Sequence, residues 1–137
     1  MRTLKFWAEN SLLALAFSPL ERITAKMTAA RVAEPGYVAG IPVICVGNAG
    51  VGGAGKTIVA LDLLARLPGT PFALTRGYGG SLPGPVLVGP EHIAEDVGDE
   101  ALLLAQVAPV VVSRDRAMGA KLARAHGASA IVMDDGL

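Results

Sequence analysis

The residues Gly50-Val51-Gly52-Gly53-Ala54-Gly55-Lys56-Thr57 spell G-x-x-x-x-G-K-T, and the apolar run Pro42-Val43-Ile44-Cys45-Val46 stands shortly before them. Few sequence features restrict a fold as tightly. Glycines let the main chain curl around an anion without Cβ clashes, so that successive N–H groups converge on phosphate oxygens. Lys56 then adds a point charge for the β and γ phosphates of a nucleoside triphosphate, and Thr57 a hydroxyl for Mg2+. Such a loop needs a strand before it and a helix after it. Both are present: residues 56–67 carry Val59, Leu63 and Leu67 at helical spacing, with Ile58, Leu61 and Leu64 close by. The competing reading, a glycine-rich turn that binds nothing, does not account for this context.

A strand–loop–helix unit has to join a larger sheet, and the rest of the chain provides one. Pro71-Phe72-Ala73-Leu74 reads as a second strand, emptying into the glycine-rich turn Thr75-Arg76-Gly77-Tyr78-Gly79-Gly80. Val86-Leu87-Val88 reads as an edge strand or part of a flap, Val110-Val111-Val112 as a core strand, and Ala130-Ile131-Val132-Met133 as another. Helical stretches are expected over residues 98–107 and 114–126. This alternation predicts an α/β fold of the P-loop NTPase type, a mostly parallel sheet flanked by helices. The length of 137 residues suffices for one such core without metal or disulfide staples. Apolar residues at 52% with only 4% aromatics suit small aliphatic strands. Basic and acidic residues balance at 12 each, so no global basic field points to nucleic acid. The single cysteine, Cys45, has no internal disulfide partner and is expected to be a buried, inert thiol.

Residues 1–40 differ from residues 41–137, which form the expected nucleotide-binding domain. Arg2 and Lys5 precede Phe6, Trp7 and the run Leu12-Leu13-Ala14-Leu15-Ala16-Phe17; Ser18-Pro19-Leu20-Glu21 then resembles a capped helix start. The apolar run is too short for a membrane span, which needs roughly 20 residues, and shorter than a typical signal-peptide core. Two readings remain for this amphipathic helical segment. It either packs on the protein's own core or lies in a membrane interface, where Phe6, Trp7, Leu12, Leu13, Leu15 and Phe17 enter the headgroup boundary. Five basic residues through Arg31 against Glu9 and Glu21 give this segment +3 while the whole chain nets zero, which favours an anionic surface.

A triphosphate site is compatible with a kinase, a switch or motor ATPase, or a regulatory binding module. Neither Asn10 nor Asn48 begins an N-K-x-D guanine motif, so ATP is favoured over GTP. Val51 stands where partition-type switch ATPases carry an extra lysine. A kinase also requires a group that orients the acceptor hydroxyl and takes its proton. Asp96-Val97-Gly98-Asp99-Glu100 offers carboxylates, with Asp99 either a base or a helix-capping aspartate. Asp134-Asp135-Gly136 follows the last strand and is either a carboxylate site for Mg2+ or a simple turn.

Taken together, Val46-Gly47-Asn48 with the phosphate loop, Leu74-Thr75-Arg76-Gly77-Tyr78-Gly79-Gly80, Val97-Gly98-Asp99-Glu100, Asp115-Arg116 and Asp134-Asp135-Gly136-Leu137 resemble the tetraacyldisaccharide 4'-kinase family of lipid A biosynthesis. The resemblance covers residues 40–137, and the amphipathic start is similar to that family's membrane-associating helix. It implies transfer of the γ-phosphoryl group of ATP to the 4'-hydroxyl of a tetraacyldisaccharide 1-phosphate, at the cytoplasmic face of the bacterial inner membrane. It further implies that Lys56 and the loop from Gly50 through Gly55 hold phosphates, that Thr57 with Asp134 or Asp135 handles Mg2+, and that Asp99 is the general base. Arg76 and Arg116 become phosphate or substrate contacts, with surface ion pairing as their alternative. Gly50 and Ile58 depart from the family pattern without disturbing the cradle. The family continues beyond the position of Leu137, so 137 residues are expected to show weak kinase activity or none.

Overall fold

The computed structural model describes residues 36–47 and 55–134. The expected helices of the first 35 residues, loop residues Gly50, Val51, Gly52, Gly53 and Ala54, and Asp135 lie outside them. From Tyr37 onward the described residues belong to one compact unit, Tyr37–Leu137. Its elements run β1 (Val43–Val46), α1 (Lys56–Arg66), β2 (Pro71–Thr75), β3 (Val86–Leu87), α2 (Ala94–Val97), α3 (Asp99–Ala105), β4 (Val110–Val112), α4 (Arg116–Ala125) and β5 (Ala130–Asp134).

The strands form one sheet in the order β1-β5-β2-β4-β3. β1, β5, β2 and β4 are parallel neighbours, and only β3 runs antiparallel, against β4. The mostly parallel α/β architecture expected from the sequence is therefore present. Strand side chains alternate between two cores, as the period of two requires. Val46, Ala73, Val110, Val112 and Val132 face one way and pack with Ala60 and Leu64 of α1 and Ala101 and Leu104 of α3. Phe72, Leu74, Val111 and Ile131 face the other way, against Ala120 and Ala123 of α4. Burial on both faces explains why these strands read as unbroken apolar runs.

Local sequence sets the boundaries. α1 ends where Leu67 turns to extended backbone while its N–H still donates to Leu63 O at 2.9 Å. Pro68 cannot continue the helix, and Gly69 takes φ +82°. In α4, Asp115 is the N-cap, its carboxylate accepting from Met118 N at 3.1 Å.

Two expectations need correction. The helix expected over 98–107 is preceded by a separate turn, α2, too short to show periodicity; Gly98 divides it from α3 at φ 86°, ψ 150°. Cys45 is exposed rather than buried. It pairs in register with Met133, on the face that α4 covers, but α4 packs on β2, β3 and β4. β1 lies at the sheet's edge, where no described helix reaches that face.

Candidate functional site: a phosphate loop, a carboxylate pair and a cavity

The site assembles at the carboxyl ends of the parallel strands, where open α/β sheets place ligands. β1 and β5 are direct neighbours with Val46 opposite Asp134, so the chain leaving β1 toward the glycine-rich loop starts beside that carboxylate. The loop's described end is Gly55, the N-cap of α1, at φ 91°. A left-handed backbone there requires glycine. No side chain caps α1 and its first turn holds no acidic residue, so the helix N-terminus presents its N–H groups and positive dipole end to an anion. Lys56 and Thr57 are the first two residues of that turn.

Thr57 connects the loop to both carboxylates. Its hydroxyl donates to Glu100 Oε1 at 2.8 Å, and Asp134 Oδ2 lies 3.4 Å from the same oxygen. Asp134 is buried and Glu100 half-buried. The Glu100 carboxyl is held above the ordinary carboxylate range, first by its hydrogen bond with Asp134 and then by burial; Thr57 and the charge of Lys56 oppose this. Two carboxylates and a hydroxyl, all oxygen donors, fit a hard divalent cation such as Mg2+. No group of three or more His, Cys, Asp or Glu side chains able to hold a metal occurs among the described residues. The structure thus brings Lys56, Thr57, Asp134 and Glu100 together. The sequence motif alone does not separate Glu100 from its neighbour Asp99. One signal could have found it: the two lie at the start of a helix, where adjacent residues point about 100° apart, so only one can face the loop.

Next to this cluster opens a cavity of about 620 Å³, lined by Thr75, Arg76, Gly77, Tyr78, Gly79, Gly80, Glu100 and Arg114. Arg76, in the glycine-rich turn after β2, is one of these lining residues. Asp99 is exposed, is the first residue of α3 with Gly98 as N-cap, and does not line the cavity. Arg116 begins α4 and is not among the lining residues either; Arg114, two positions earlier, is. The glycine-rich turn packs directly on the chain before α3. A Cβ at Gly80 would meet Asp96 O at 2.6 Å, and one at Gly77 would meet Val97 O at 3.0 Å.

The family model described as Tetraacyldisaccharide-1-P 4'-kinase matches residues 13–137. The chain belongs to this family. A protein named tetraacyldisaccharide 4'-kinase from Azorhizobium caulinodans is 56% identical over 96% of the chain, and one of the same name from Bradyrhizobium sp. (strain ORS 278) is 55% identical over 99%. The chain spans only 40% and 42% of the lengths of these two family members. Among solved structures it is similar to the "apo" form of LpxK from Aquifex aeolicus in complex with ATP. That likeness has a TM-score of 0.69 and 29% identity, and covers 91% of this chain and 44% of that one. The likeness to that solved structure agrees with the mostly parallel α/β fold described above.

Proposed function

We propose that the chain carries the nucleotide site of an ATP-dependent kinase that phosphorylates the 4'-hydroxyl of a tetraacyldisaccharide 1-phosphate in lipid A biosynthesis. The observation that carries this reading is the convergence of Thr57, Glu100 and Asp134 at the mouth of the phosphate loop. In the transfer, the 4' oxygen bonds to the γ phosphorus as the bond from that phosphorus to the β–γ bridging oxygen breaks, leaving ADP. The hydroxyl proton passes to a carboxylate, for which Asp99 is proposed. Lys56 and the loop N–H groups, from Gly50 onward, hold and orient the β and γ phosphates. Thr57, Asp134, Glu100 and, on the family resemblance, Asp135 would hold Mg2+, which when bound neutralises charge on the phosphate oxygens. Arg76 reaches phosphate or acceptor from the cavity, and Arg116 is a further contact of the same kind.

The test is transfer of label from γ-phosphate-labelled ATP to the lipid disaccharide, using the complete reading frame that contains this chain. Asp99→Ala is expected to lower kcat by about 100-fold or more, the usual size of a general-base effect. If Asp99 only favours the helix dipole, stability will fall by about 0.5 kcal/mol and the rate per folded molecule will not change. ATP hydrolysis without the lipid acceptor, and no labelled lipid, would instead indicate a switch ATPase.

The acceptor is a lipid, so the reading places the protein at the cytoplasmic face of the bacterial inner membrane as a peripheral protein. Among the described residues no helix is long and apolar enough to cross a membrane. The basic, apolar segment before residue 32 is the proposed contact. Deleting residues 1–31 should release the protein from anionic vesicles in a sedimentation assay. Retention would favour packing of that segment on the protein itself.

A further inference from the structure

Two arginines, Arg76 and Arg114, both exposed, are among the residues lining the cavity beside the carboxylate cluster, and the topology explains how they come to be neighbours there. β2 and β4 are parallel neighbours in which Thr75 stands opposite Val112. The pairing extends one step further, with Ser113 N donating to Thr75 O at 2.9 Å. Arg76 and Arg114 therefore follow the last rungs of adjacent strands, whose axes are about 4.8 Å apart. Arg114 is also fixed from its other side, its N–H donating to Pro83 O at 2.9 Å.

Neither arginine has a carboxylate partner among the described residues. Glu100, the acidic residue on the cavity wall, is engaged with Thr57 and Asp134 instead. Two arginines without a carboxylate partner among the described residues, on the wall of a space of about 620 Å³, suit a ligand with several anionic oxygens. The remaining lining is mostly glycine backbone, which leaves room for close approach.

We propose that Arg76 and Arg114 form a phosphate seat distinct from the glycine-rich loop, with Arg114 a positioning residue outside the motifs that the sequence singled out. The seat rests on the kinase reading for its purpose, to grip a phosphoryl group beside the loop, but not for its existence. Two sources supply such a group: the terminal phosphate of the nucleotide, or a phosphate carried by the acceptor or product. Their chemistry at the arginines is the same.

The test is binding of inorganic phosphate to the 137-residue chain, followed by calorimetry and by phosphorus NMR, with Mg·ADP present in excess to fill the loop. Phosphate is expected to bind, and affinity should fall about tenfold or more in Arg76→Ala and again in Arg114→Ala, with Arg114→Lys recovering only part. Competition by Mg·ATP where Mg·ADP does not compete identifies the nucleotide's terminal phosphate as the occupant. Coexistence with both nucleotides, and displacement by a sugar phosphate, identifies the acceptor side. Absence of phosphate binding at tens of millimolar, or binding unchanged in both arginine variants, would overturn the seat. Failure of the kinase reading registers separately, as ATP binding that is indifferent to Lys56→Ala.

Discussion

Lys56→Ala is expected to weaken ATP binding by at least about 100-fold, because it removes the ammonium placed at the end of the loop for the β and γ phosphates. Hydrogen bonds to charged groups contribute about 1.5–3 kcal/mol each, and a lysine between two phosphates makes more than one. The geometry supports so large an effect. Lys56 opens α1 directly after the left-handed Gly55, in a first turn that has neither an acidic residue nor a side-chain cap. An anion at that helix N-terminus meets N–H groups of the first turn and this ammonium. Alanine is a good residue for a first helical turn, so the loss should not come from unfolding. Titration with a fluorescent ATP analogue, paired with a urea unfolding curve, separates the two. Lys121→Ala is a suitable control, since Lys121 lies on α4 with its ammonium 5.2 Å from the centre of the Tyr37 ring. Equal ATP affinity in Lys56→Ala and the parent chain would remove the basis for assigning the loop to a triphosphate.

Much of this arrangement was legible in the sequence because short-range rules dominate it. Val110-Val111-Val112 and Ala130-Ile131-Val132 are strands buried on both faces, so composition alone marks them. The glycine-lysine-threonine end of the loop carries its own structural requirement, which Gly55 meets. What was not legible depends on which elements become neighbours. Cys45 lies in an apolar run like the others, yet β1 borders the sheet among the described residues, and no described helix covers its second face. Only the strand order reveals that. Glu100 and Arg114 were missed for a related reason: each stands one or two positions from a motif residue, Asp99 or Arg116. Which of them faces the site is settled by helix phase and by strand register, not by motif spacing. Thr57 meets Glu100 across 43 positions of sequence and Asp134 across 77, a convergence that only the folded sheet produces.

That convergence depends on how α3 is held, and Gly98→Ala is expected to disturb it by destabilising the fold by about 3 kcal/mol or more. Two causes add. Gly98 adopts φ 86°, ψ 150°, a region essentially confined to glycine, where another residue costs about 1–3 kcal/mol. A Cβ there would also press into the carbonyl oxygen of Tyr78, and backbone on both sides would have to shift. The contact matters because Gly77 and Gly80 meet Val97 and Asp96 on the same interface, while Ser81 and Leu82 donate to Glu95 O and Asp96 O at 2.9 Å each. The turn that carries Arg76 and the helix that carries Glu100 are thereby locked together. Gly127→Ala isolates the second cause: Gly127 has a similar φ of 84°, but a Cβ there would have nothing within 4 Å. It should cost only about 1–2 kcal/mol, the penalty of the left-handed backbone alone. Urea unfolding of the two variants measures the difference. If Gly98→Ala is no more destabilising than Gly127→Ala, the close approach at Tyr78 is not what fixes α3. If the difference is found, ATP and phosphate affinity in the folded fraction of Gly98→Ala should fall as well, since Glu100 would no longer keep its place beside Thr57, nor Arg76 its place on the cavity wall.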